Sequence, residues 1–387
     1  MGLKAIVKKN RFVYAAARRL RALPYPFLRA FMGACRGICG VNPRKVYFSS
    51  FGGTLYNENP KYVCEALVEG CPEAQIVFRL NRAGMAQADI PARVKRVKKN
   101  SPAALFHMAT AKVIVKNAAF RPWMCKGREQ VYLQLWHGDR GLKKILLDKD
   151  PRAKLADKTS MDIGVAASRM GCDIYMRRGF GFGGEVMECG YPKNDILVNP
   201  PAGLEESIRR KLGLEGKRVL LYAPTFRDRT SGSAQRANFS LERLKQALEE
   251  STGEAWAVLT RGHTLNRGVE ADAGIDVSAY PDVSELLLAT DMLITDYSSI
   301  CGDFMLLGRP IILYHADRDA YDRELIFDPE ASPYRIAHDE DELIALAAHF
   351  DDGAENCRAL LEFYGAKESG RAAEAVARRI REIICND

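Results

Sequence analysis

Residues 289–316, ATDMLITDYSSICGDFMLLGRPIILYHA, constrain the fold more than any other part of this chain. Two apolar runs within them, 292–294 and 311–314, have the length and composition of buried strands. Between these runs, Ser298 is suited to begin a helix as its N-cap and Gly308 is suited to end it. The stretch therefore predicts a strand, a helix and a second strand, the repeating unit of α/β proteins with parallel sheets.

The start of that predicted helix also has the character of a phosphate site. It carries Asp296, Tyr297, Ser298 and Ser299. The unpaired N–H groups of a first helical turn, together with the positive end of the helix dipole, favour an anion there. The alternative is that Asp296 and Ser298 only cap the helix. This stretch alone leaves both interpretations open.

The length of the chain points to more than one domain. With 387 residues it exceeds the usual size of a single hydrophobic core, so we expect two domains. The content of 47% hydrophobic and 27% charged residues is typical of a soluble globular protein. The ten cysteines are scattered without the spacing of a zinc site, which favours reduced thiols in the cytoplasm and no dedicated metal site.

Lysine and arginine are concentrated at the start of the chain. Of the 57 Lys and Arg residues, nine lie in residues 1–40, which contain no Asp or Glu, and the other 48 nearly balance the 49 acidic residues. A nucleic-acid surface would be expected to spread its cations over the folded body and to interleave them with aromatic residues. We therefore expect no nucleic-acid partner.

The same segment has the pattern of a basic amphipathic helix that runs as far as Pro24. Its cations are Lys4, Lys8, Lys9, Arg11, Arg18 and Arg19. The segment lacks the unbroken apolar core of a signal peptide, and no later stretch has the roughly 20 apolar residues of a membrane span. We predict that it holds the protein peripherally on the anionic cytoplasmic face of the cell membrane, with apolar contacts from Tyr25, Phe27, Leu28, Phe31 and Met32. The alternative is a solvated helix packed on the protein's own body.

Polar and cationic side chains follow several predicted strands at their carboxyl ends. In the first half, the strand 131–135 runs into His137 and a glycine. In the second half, the strand 219–222 precedes Thr225 and Arg227, and the strand 258–260 precedes Arg261 and His263. Open α/β sheets bind their ligands at this edge. A cleft between two such sheets would suit group transfer from a phosphorylated donor to an acceptor activated by His137.

The strongest candidate for an interdomain linker is NPPAG, residues 199–203. We therefore divide the chain into a membrane-associating segment 1–40, a first α/β domain 41–200 and a second α/β domain 201–387. The second domain includes two amphipathic terminal helices, near 343–350 and 372–384.

Several enzyme classes lose support because their motifs do not occur in the sequence. There is no GxxxxGK[ST] phosphate loop and no GxGxxG at the first strand-to-helix turn, which disfavours P-loop NTPases and typical dinucleotide oxidoreductases. The GxSxG elbow of α/β-hydrolases and the HExxH pair of zinc proteases do not occur either.

The chain resembles the CDP-glycerol glycerophosphotransferase family of teichoic-acid synthesis. The motifs that carry the resemblance are SFGGTLYNENPKY, LQLWHGDRGLKKI, CGYPKND, LLYAPTFRD and DVSELLLATDMLITDYSSICGDFMLLGRPIILY, in the order of the family and across residues 46–328. The chain length is similar to that of the primase-like members that add a single unit. The resemblance implies a GT-B fold, which consists of two Rossmann-like domains with the active site between them. The first domain would be on the acceptor side, and the second would bind the CDP-alcohol donor.

The resemblance also implies an activity. It is the transfer of glycerol phosphate from CDP-glycerol to a hydroxyl of a polyprenyl-diphosphate-linked saccharide or teichoic-acid polymer at the inner membrane face, with release of CMP. Carried over by position, His137 is the general base and His263 steadies the charge on the leaving CMP. The donor-binding residues would be Thr225, Arg227, Arg261, Asp296, Ser298, Ser299 and Asp303. For Asp303 the resemblance leaves two alternatives, contact with the cytidine ribose or exposure to solvent.

Three departures from the family pattern leave the substrates open. WHGT is replaced by WHGD with Asp139, proline does not follow RGH, and the RGFYFD-like stretch reads RELIFDPEASPY. CDP-ribitol or a capsule polymer is therefore an alternative, as is a GT-B glycosyltransferase that uses a nucleotide-sugar or an inactive membrane-bound scaffold. No cofactor is required by this hypothesis, although Mg²⁺ carried by the donor diphosphate is compatible with it.

Overall fold

Two parallel sheets form the framework of the protein in the computed structural model, which describes residues 23–121, 123–145, 158–225, 235–262, 269–318, 321 and 324–385. One sheet has seven strands and the other has six, and a small third sheet has two. Helices connect the strands, so each large sheet is built from strand-helix-strand units. The α/β class and the two-sheet organisation expected from the sequence are confirmed.

The seven-stranded sheet belongs to the first half of the chain. Its strands are β1 (Asn42–Ser49), β2 (Gln75–Leu80), β3 (Lys95–Lys98), β4 (Ala111–Lys116), β5 (Val131–Gln134), β6 (Ile163–Ala166) and β7 (Glu185–Glu188). Their spatial order is 3-2-1-4-5-6-7, and every pair is parallel. The order reverses between β1 and β4, and parallel α/β sheets place ligands outside the carboxyl ends of the strands at such a switch point.

The six-stranded sheet belongs to the second half. The strands of this half are β8 (Arg218–Ala223), β9 (Gln235–Arg236), β10 (Trp256–Thr260), β11 (Val269–Glu270), β12 (Ile275–Asp276), β13 (Met292–Thr295), β14 (Ile311–Tyr314) and β15 (Arg335–Ala337). The large sheet has the order 12-10-8-13-14-15, and β9 pairs only with β11. Its switch point lies between β8 and β13, so Thr225 and Asp296 follow the two strands that flank it.

Thirteen α-helices lie in the described ranges. In the first half they are α1 (Tyr25–Cys39), α2 (Glu58–Gly70), α3 (Arg82–Met85), α4 (Pro102–Ala109) and α5 (Arg169–Gly171), the last continued by a π-helix, Cys172–Gly179. In the second half they are α6 (Asp195–Val198), α7 (Leu204–Leu212), α8 (Leu241–Thr252), α9 (Val283–Leu288), α10 (Ile300–Phe304), α11 (Glu340–Ala348), α12 (Ala354–Tyr364) and α13 (Ala372–Cys385). The 3₁₀ turns are Pro192–Asn194, Met305–Leu307 and Pro329–Ala331.

The last helix corrects the expected domain boundary. The expectation that both terminal helices belong to the second domain is wrong for the last one, because α13 packs on the first sheet and buries Val376, Ile380 and Ile384 in the core around that sheet. The predicted helix near 343–350 corresponds to α11, which does remain with the second sheet, where Leu343 and Ala347 are buried, as does α12. The chain therefore crosses back after α12, and the apolar stripe of α13 is covered by α2, β1 and β4.

Helix α1 differs in part from what the sequence predicts for the start of the chain. The cations predicted to contact the membrane lie outside the described residues. Pro24 is the N-cap of α1, and Pro26 occupies the first helical turn, where proline is tolerated. Met32 was predicted to face the membrane, but it is fully buried in the core of the first domain. None of the helices in the described ranges has the length and apolar character of a membrane span.

Candidate active site

His137 lies on a loop that follows β5, and we refer to residues 136–141 as the WHG loop. The loop begins with Trp136, whose backbone has a φ of 52°, a left-handed conformation that bulky residues rarely adopt. His137 Nδ1 lies 2.7 Å from the backbone oxygen of Asn117. Because a carbonyl oxygen can only accept, Nδ1 carries the proton, and Nε2 is left as the basic nitrogen of the neutral ring. This is the tautomer that a general base requires.

A buried side chain from another segment fixes the strained start of this loop. Asn59, near the start of α2, donates from Nδ2 to the backbone oxygen of Trp136 at 2.9 Å. Its Oδ1 accepts the backbone N–H of Lys193 at 3.0 Å. Asn59 has no exposed surface, so both bonds are shielded from water. Unusual backbone geometry of this kind persists only where surrounding contacts enforce it, and sequence reasoning missed the part that Asn59 plays.

Aromatic rings fix the orientation of the imidazole. The ring of Trp136 lies 4.1 Å from that of His137, and Phe51 approaches His137 edge-on at 5.2 Å. Phe51 follows β1 in the SFGG segment, and its backbone N–H donates to Asn117 Oδ1 at 2.8 Å. Asn117 therefore ties His137 and the SFGG loop to one residue at the switch point of the first sheet.

Residues 296–299, which we call the DYSS turn, follow β13 in the second sheet. Asp296 is 4% exposed, and its Oδ1 accepts from the Thr225 backbone N–H at 2.8 Å and also from the Thr225 hydroxyl. These bonds join the ends of β8 and β13. The Cys301 thiol donates to the backbone oxygen of Ser298 at 2.9 Å. Asp296 and Thr225 therefore hold the start of the DYSS turn against the end of β8.

The helix after the DYSS turn is shorter than the sequence predicts. Only Ile300–Phe304 are α-helical, and Met305–Leu307 continue as a 3₁₀ turn that ends at Gly308, whose φ is 64°. Ser298 Oγ accepts the Ile300 N–H at 3.4 Å, so it is a weak cap at most. A five-residue helix has only a small dipole, so the anion binding expected at this turn would depend on its hydroxyl and N–H groups.

The WHG loop and the DYSS turn touch each other across the cleft between the two sheets. A Cβ atom placed on Gly138 would lie 2.8 Å from Ser299 Oγ, and one on Gly141 would lie 2.9 Å from Ser299 Cβ. A Cβ on Gly302 would lie only 2.1 Å from the backbone oxygen of Arg140. Only glycine permits approaches this close. The structure therefore brings the candidate base of one domain against the candidate phosphate turn of the other.

A buried network of charged side chains lies next to this contact and stabilises it. Arg140, 2% exposed, donates to Gly302 O at 2.6 Å and pairs with Glu368 at 2.7 Å. Lys193 donates to Asp303 and lies 3.8 Å from Glu58. Burial alone would lower the pKa of Lys193, but Asp303 and Glu58 raise it above its ordinary value.

Asp303 belongs to this network, and of its two expected roles the alternative of exposure to solvent is wrong. It is 4% exposed, and its carboxylate accepts from Lys193 and, at 3.0 Å, from Asn194. Arg140 lies 3.7 Å away. These partners come from the first domain, so Asp303 is a structural link between the domains. Its partners Lys193 and Asn194 are the lysine and the asparagine of the CGYPKND motif.

Asp139, the residue that departs from the family pattern, points away from the cleft. Its Oδ2 accepts the N–H groups of Ala167 at 2.7 Å and Ser168 at 3.2 Å, at the carboxyl end of β6. Burial raises the pKa of Asp139 to about 6. The side chain therefore braces the WHG loop against the sheet, so this departure has a structural cause.

Of the remaining predicted donor-binding residues, the structure describes Arg261. Arg261 donates through one guanidinium nitrogen to the carbonyl oxygens of Val277 at 2.9 Å and Tyr280 at 3.0 Å. Burial lowers the pKa of Arg261, and the nearby carboxylates of Glu58 and Asp282 oppose that shift. Arg227 and His263 lie outside the described residues. Among the residues that are described, no group of three or more His, Cys, Asp or Glu side chains is arranged to hold a metal ion.

A second contact between the domains lies beside the SFGG loop. Lys61 pairs with Asp282 at 2.8 Å, and the hydroxyl of Tyr62 donates to the same carboxylate at 2.9 Å. Asp282 is also the N-cap of α9, where it accepts the Ser284 N–H. The NPKY and DVSE segments, which sequence reasoning treated only as parts of motifs, therefore meet as an interdomain pair.

Two parallel α/β units with facing switch points, and a cleft between them lined by residues from both, define a GT-B fold. A solved structure of the wall teichoic acid polymerase TagF supports this class with a TM-score of 0.82 at 26% sequence identity, over 96% of this chain and 97% of that one. The same polymerase has also been solved as a variant soaked with CDPG. The expected GT-B fold is confirmed.

The chain belongs to the CDP-glycerol:poly(glycerophosphate) glycerophosphotransferase family, whose model matches residues 31–382. It is 32% identical over 369 residues to the teichoic acid glycerol-phosphate transferase of Staphylococcus aureus (strain NCTC 8325 / PS 47). The match covers 88% of this chain and 93% of that protein. It is 33% identical over 306 residues to the teichoic acid poly(glycerol phosphate) polymerase of Staphylococcus epidermidis, covering 74% of this chain. The chain spans less than half the length of that polymerase, 42%.

Proposed function

We propose that this protein transfers glycerol phosphate from CDP-glycerol to a hydroxyl of a polyprenyl-diphosphate-linked saccharide or a teichoic-acid-type polymer, with release of CMP. The observation that carries the proposal is the contact of the WHG loop with the DYSS turn, with Gly138 and Gly141 against Ser299. It puts His137, whose Nδ1 is oriented by the Asn117 carbonyl, beside a turn that offers hydroxyl and N–H donors. Membership of the family supplies the donor and the reaction class.

The reaction follows from these positions. The acceptor hydroxyl gives its proton to His137 Nε2 as its oxygen attacks the phosphorus that carries glycerol. The bond between that phosphorus and the bridging oxygen breaks, and CMP leaves with the electron pair. Phosphoryl transfer of this type needs positioning and charge stabilisation more than covalent chemistry. Ser298 and Ser299 would steady the diphosphate, and His263 and Arg227 would add positive charge to it.

The donor is assigned to the second domain. Thr225 and Asp296 hold β8 and β13 together at the switch point, which is where such sheets bind nucleotides. The polymerase soaked with CDPG supports CDP-glycerol over CDP-ribitol as the first donor to test. The proposal requires no resident cofactor, and Mg²⁺ bound to the donor diphosphate is compatible with it.

The proposed site of action is the cytoplasmic face of the membrane. Six large apolar side chains are markedly exposed among the described residues, and four of them lie on or next to α1: Leu23, Phe27, Phe31 and Ile38. Their spacing places them on one side of the helix, opposite Met32, which anchors α1 to the protein. An exposed apolar stripe of this kind is suited to the interface of a bilayer, and the preceding basic residues would be attracted to anionic lipids.

The experiment that tests this function compares donors and acceptors. Purified protein is mixed with vesicles that contain a polyprenyl-diphosphate-linked disaccharide, and CMP is measured after addition of CDP-glycerol, CDP-ribitol or a nucleotide-sugar. Acceptor-dependent CMP release from CDP-glycerol supports the proposal. Turnover of only CDP-ribitol or of only the nucleotide-sugar would replace the donor, and turnover of none, with native protein, would favour the inactive scaffold.

A further inference from the structure

A pocket of about 310 Å³ lies between α1 and the carboxyl edge of the first sheet, outside the cleft already described. One wall is formed by Tyr25 and Leu28 of α1, and another by apolar residues of α4. Arg79, from the end of β2, and Trp123 complete it. The volume lies at the lower end of the range typical of ligand sites. We call it the Arg79 pocket.

Within the part of the chain that the structure describes, Arg79 is the one charged residue that lines the pocket, and it is almost fully buried. Arg79 is 5% exposed, and its guanidinium lies 5.9 Å from the Trp123 ring centre. Its hydrogen-bond partner is the neutral Asn100, at 3.3 Å, and the guanidinium also neighbours the Tyr47 hydroxyl. Its Nε is buried and has no hydrogen-bond partner within the described residues. A buried charge is costly unless it is paired, so the guanidinium of Arg79 is suited to bind an anion in the pocket.

The surroundings of the pocket are positive as well. Burial lowers the pKa of Lys99, and the charges of Arg79 and Arg121 lower it further. Of the described residues that line the pocket, none is an Asp or Glu. Arginine binds phosphate groups through several N–H donors in one plane, and a neighbouring lysine adds to the attraction. The chemistry of the pocket therefore suits a phosphate-bearing ligand with an apolar part.

The position of the pocket connects the membrane-facing helix to the catalytic loop. On one side it is lined by α1, whose outer surface carries the exposed stripe of Phe27 and Phe31. On the other side, the Arg79 side chain packs against Gly53, where a Cβ would lie 2.8 Å from Arg79 Cγ. Gly53 is two residues after Phe51, whose ring contacts that of His137.

We propose that the Arg79 pocket binds the diphosphate of the lipid-linked acceptor, so that the polyprenyl chain leaves past α1 toward the membrane and the saccharide extends over the SFGG loop to His137. This inference rests on the proposed function, because it names the site at which that function receives its acceptor. It assigns the acceptor to Arg79 and leaves the donor on the other domain.

The test measures binding without CDP-glycerol. Full-length protein is sedimented with phosphatidylcholine vesicles that contain polyprenyl diphosphate, phosphatidylglycerol at equal charge, or neither. The wild type is expected to bind the polyprenyl diphosphate vesicles most tightly. Arg79→Gln should lose the additional affinity for the polyprenyl diphosphate vesicles. It should bind them about 10- to 100-fold more weakly than the wild type, the range for a lost charged hydrogen-bonding group. Arg44→Gln, which removes an exposed cation from the amino end of β1 in the same domain, is the matched control and should bind as the wild type does.

A second variant keeps the test decisive if Arg79→Gln fails to fold. Asn100→Asp puts a carboxylate in place of the amide that Arg79 contacts, and aspartate tolerates the left-handed backbone there, φ 63°. The new carboxylate would form an ion pair with the Arg79 guanidinium. The additional affinity for polyprenyl diphosphate vesicles should therefore be lost again, while the melting temperature is maintained.

Unchanged binding of folded Arg79→Gln, or of Asn100→Asp, would overturn the inference. Equal preference of the wild type for phosphatidylglycerol would overturn it too, because bulk lipid would then be the ligand. Failure of the proposed function would show separately, as absence of CMP release by a protein that still binds polyprenyl diphosphate through Arg79.

Discussion

Gly141 of the WHG loop lies directly against Ser299 of the DYSS turn, so closely that a Cβ on the glycine would come within 2.9 Å of Ser299 Cβ and 3.1 Å of its Cα. The two residues belong to different sheets and are separated by more than 150 positions in the chain. Their contact fixes the distance between the candidate base and the candidate phosphate turn, and the first prediction concerns that distance.

Gly141→Ala should impair transfer more than folding. The added methyl group meets backbone atoms of Ser299, so the loop and the turn must move apart. Displacement of catalytic groups by about 1 Å can cost on the order of 100-fold in rate, and we expect a loss of that size in kcat. The control is Gly183→Ala, where the methyl group meets nothing within 4 Å. Equal activity of the two variants would contradict the prediction.

The ion pair of Lys61 with Asp282 should contribute to stability because both side chains are nearly buried, 11% and 5% exposed. Lys61→Met leaves Asp282 without its cation and should lower the free energy of unfolding by about 3 kcal/mol, measured by urea denaturation. The double variant with Asp282→Asn should recover part of that loss.

The control for this pair is Lys126→Met. Lys126 pairs with Asp162 at the same distance, 2.8 Å, but Asp162 is 38% exposed. Loss of an exposed pair should cost no more than about 1 kcal/mol. If Lys61→Met were no more destabilising than Lys126→Met, the interdomain pair would not stabilise the fold.

Glu58 should give the protein a pH-dependent stability. Its side chain faces Lys193, Asp303, Asp282 and Arg261, and burial raises its pKa to about 7 from an ordinary value of 4.5. The folded state therefore retains a proton that the unfolded state releases, so this contribution is fully present below pH 4.5 and is lost as pH rises to about 7. The free energy of unfolding should fall over that interval and then level off.

Glu58→Gln should remove this contribution to the pH dependence of the free energy of unfolding, because glutamine does not titrate. Asp139, whose pKa is also raised, to about 6, is present in both proteins, so the difference between their profiles isolates Glu58. Urea denaturation at intervals between the two pH limits supplies the measurement. Parallel profiles would show that Glu58 ionises in the folded protein as it does in the unfolded chain.

The exposed face of α1 should control attachment to anionic vesicles. Phe27 is 78% exposed and Phe31 is 41% exposed, and a glutamate at each place would remove apolar contact and add repulsion. We expect the double variant to sediment with the vesicles much less than the wild type. Ile275→Glu, at an apolar residue 48% exposed in the second domain, is the control and should sediment normally. If this control were equally impaired, charge alone would explain the effect.

The strands of both sheets could largely be predicted from the sequence because buried parallel strands are continuous apolar runs. The predicted strand 311–314 agrees with β14 residue for residue, and the predicted strand 219–222 lies within β8. Strand β3, with the sequence KRVK, lacks that signal because it lies at the edge of the sheet and buries only Val97. The short strand β12, Ile275–Asp276, which pairs with β10, has no such apolar run either.

The candidate site could be predicted only as separate motifs. The sequence indicates that His137 and Ser298 follow strands, since local patterns mark strand ends. It gives no signal for the partners that hold them, because Asn59, Asn117 and Glu368 come from segments up to more than 200 residues away. The same reason explains the misassignment of α13, whose amphipathic pattern does not say which core it covers.

The account depends most on His137 as the base of a CDP-glycerol-dependent transfer. The most direct measurement is acceptor-dependent CMP release by the wild type and by His137→Ala, together with the rise in melting temperature caused by CDP-glycerol in each. The account predicts that the variant keeps the thermal shift, because the donor lies on the other domain, and loses about 10²- to 10⁴-fold in kcat. A His137→Ala variant that releases CMP at the wild-type rate would contradict it.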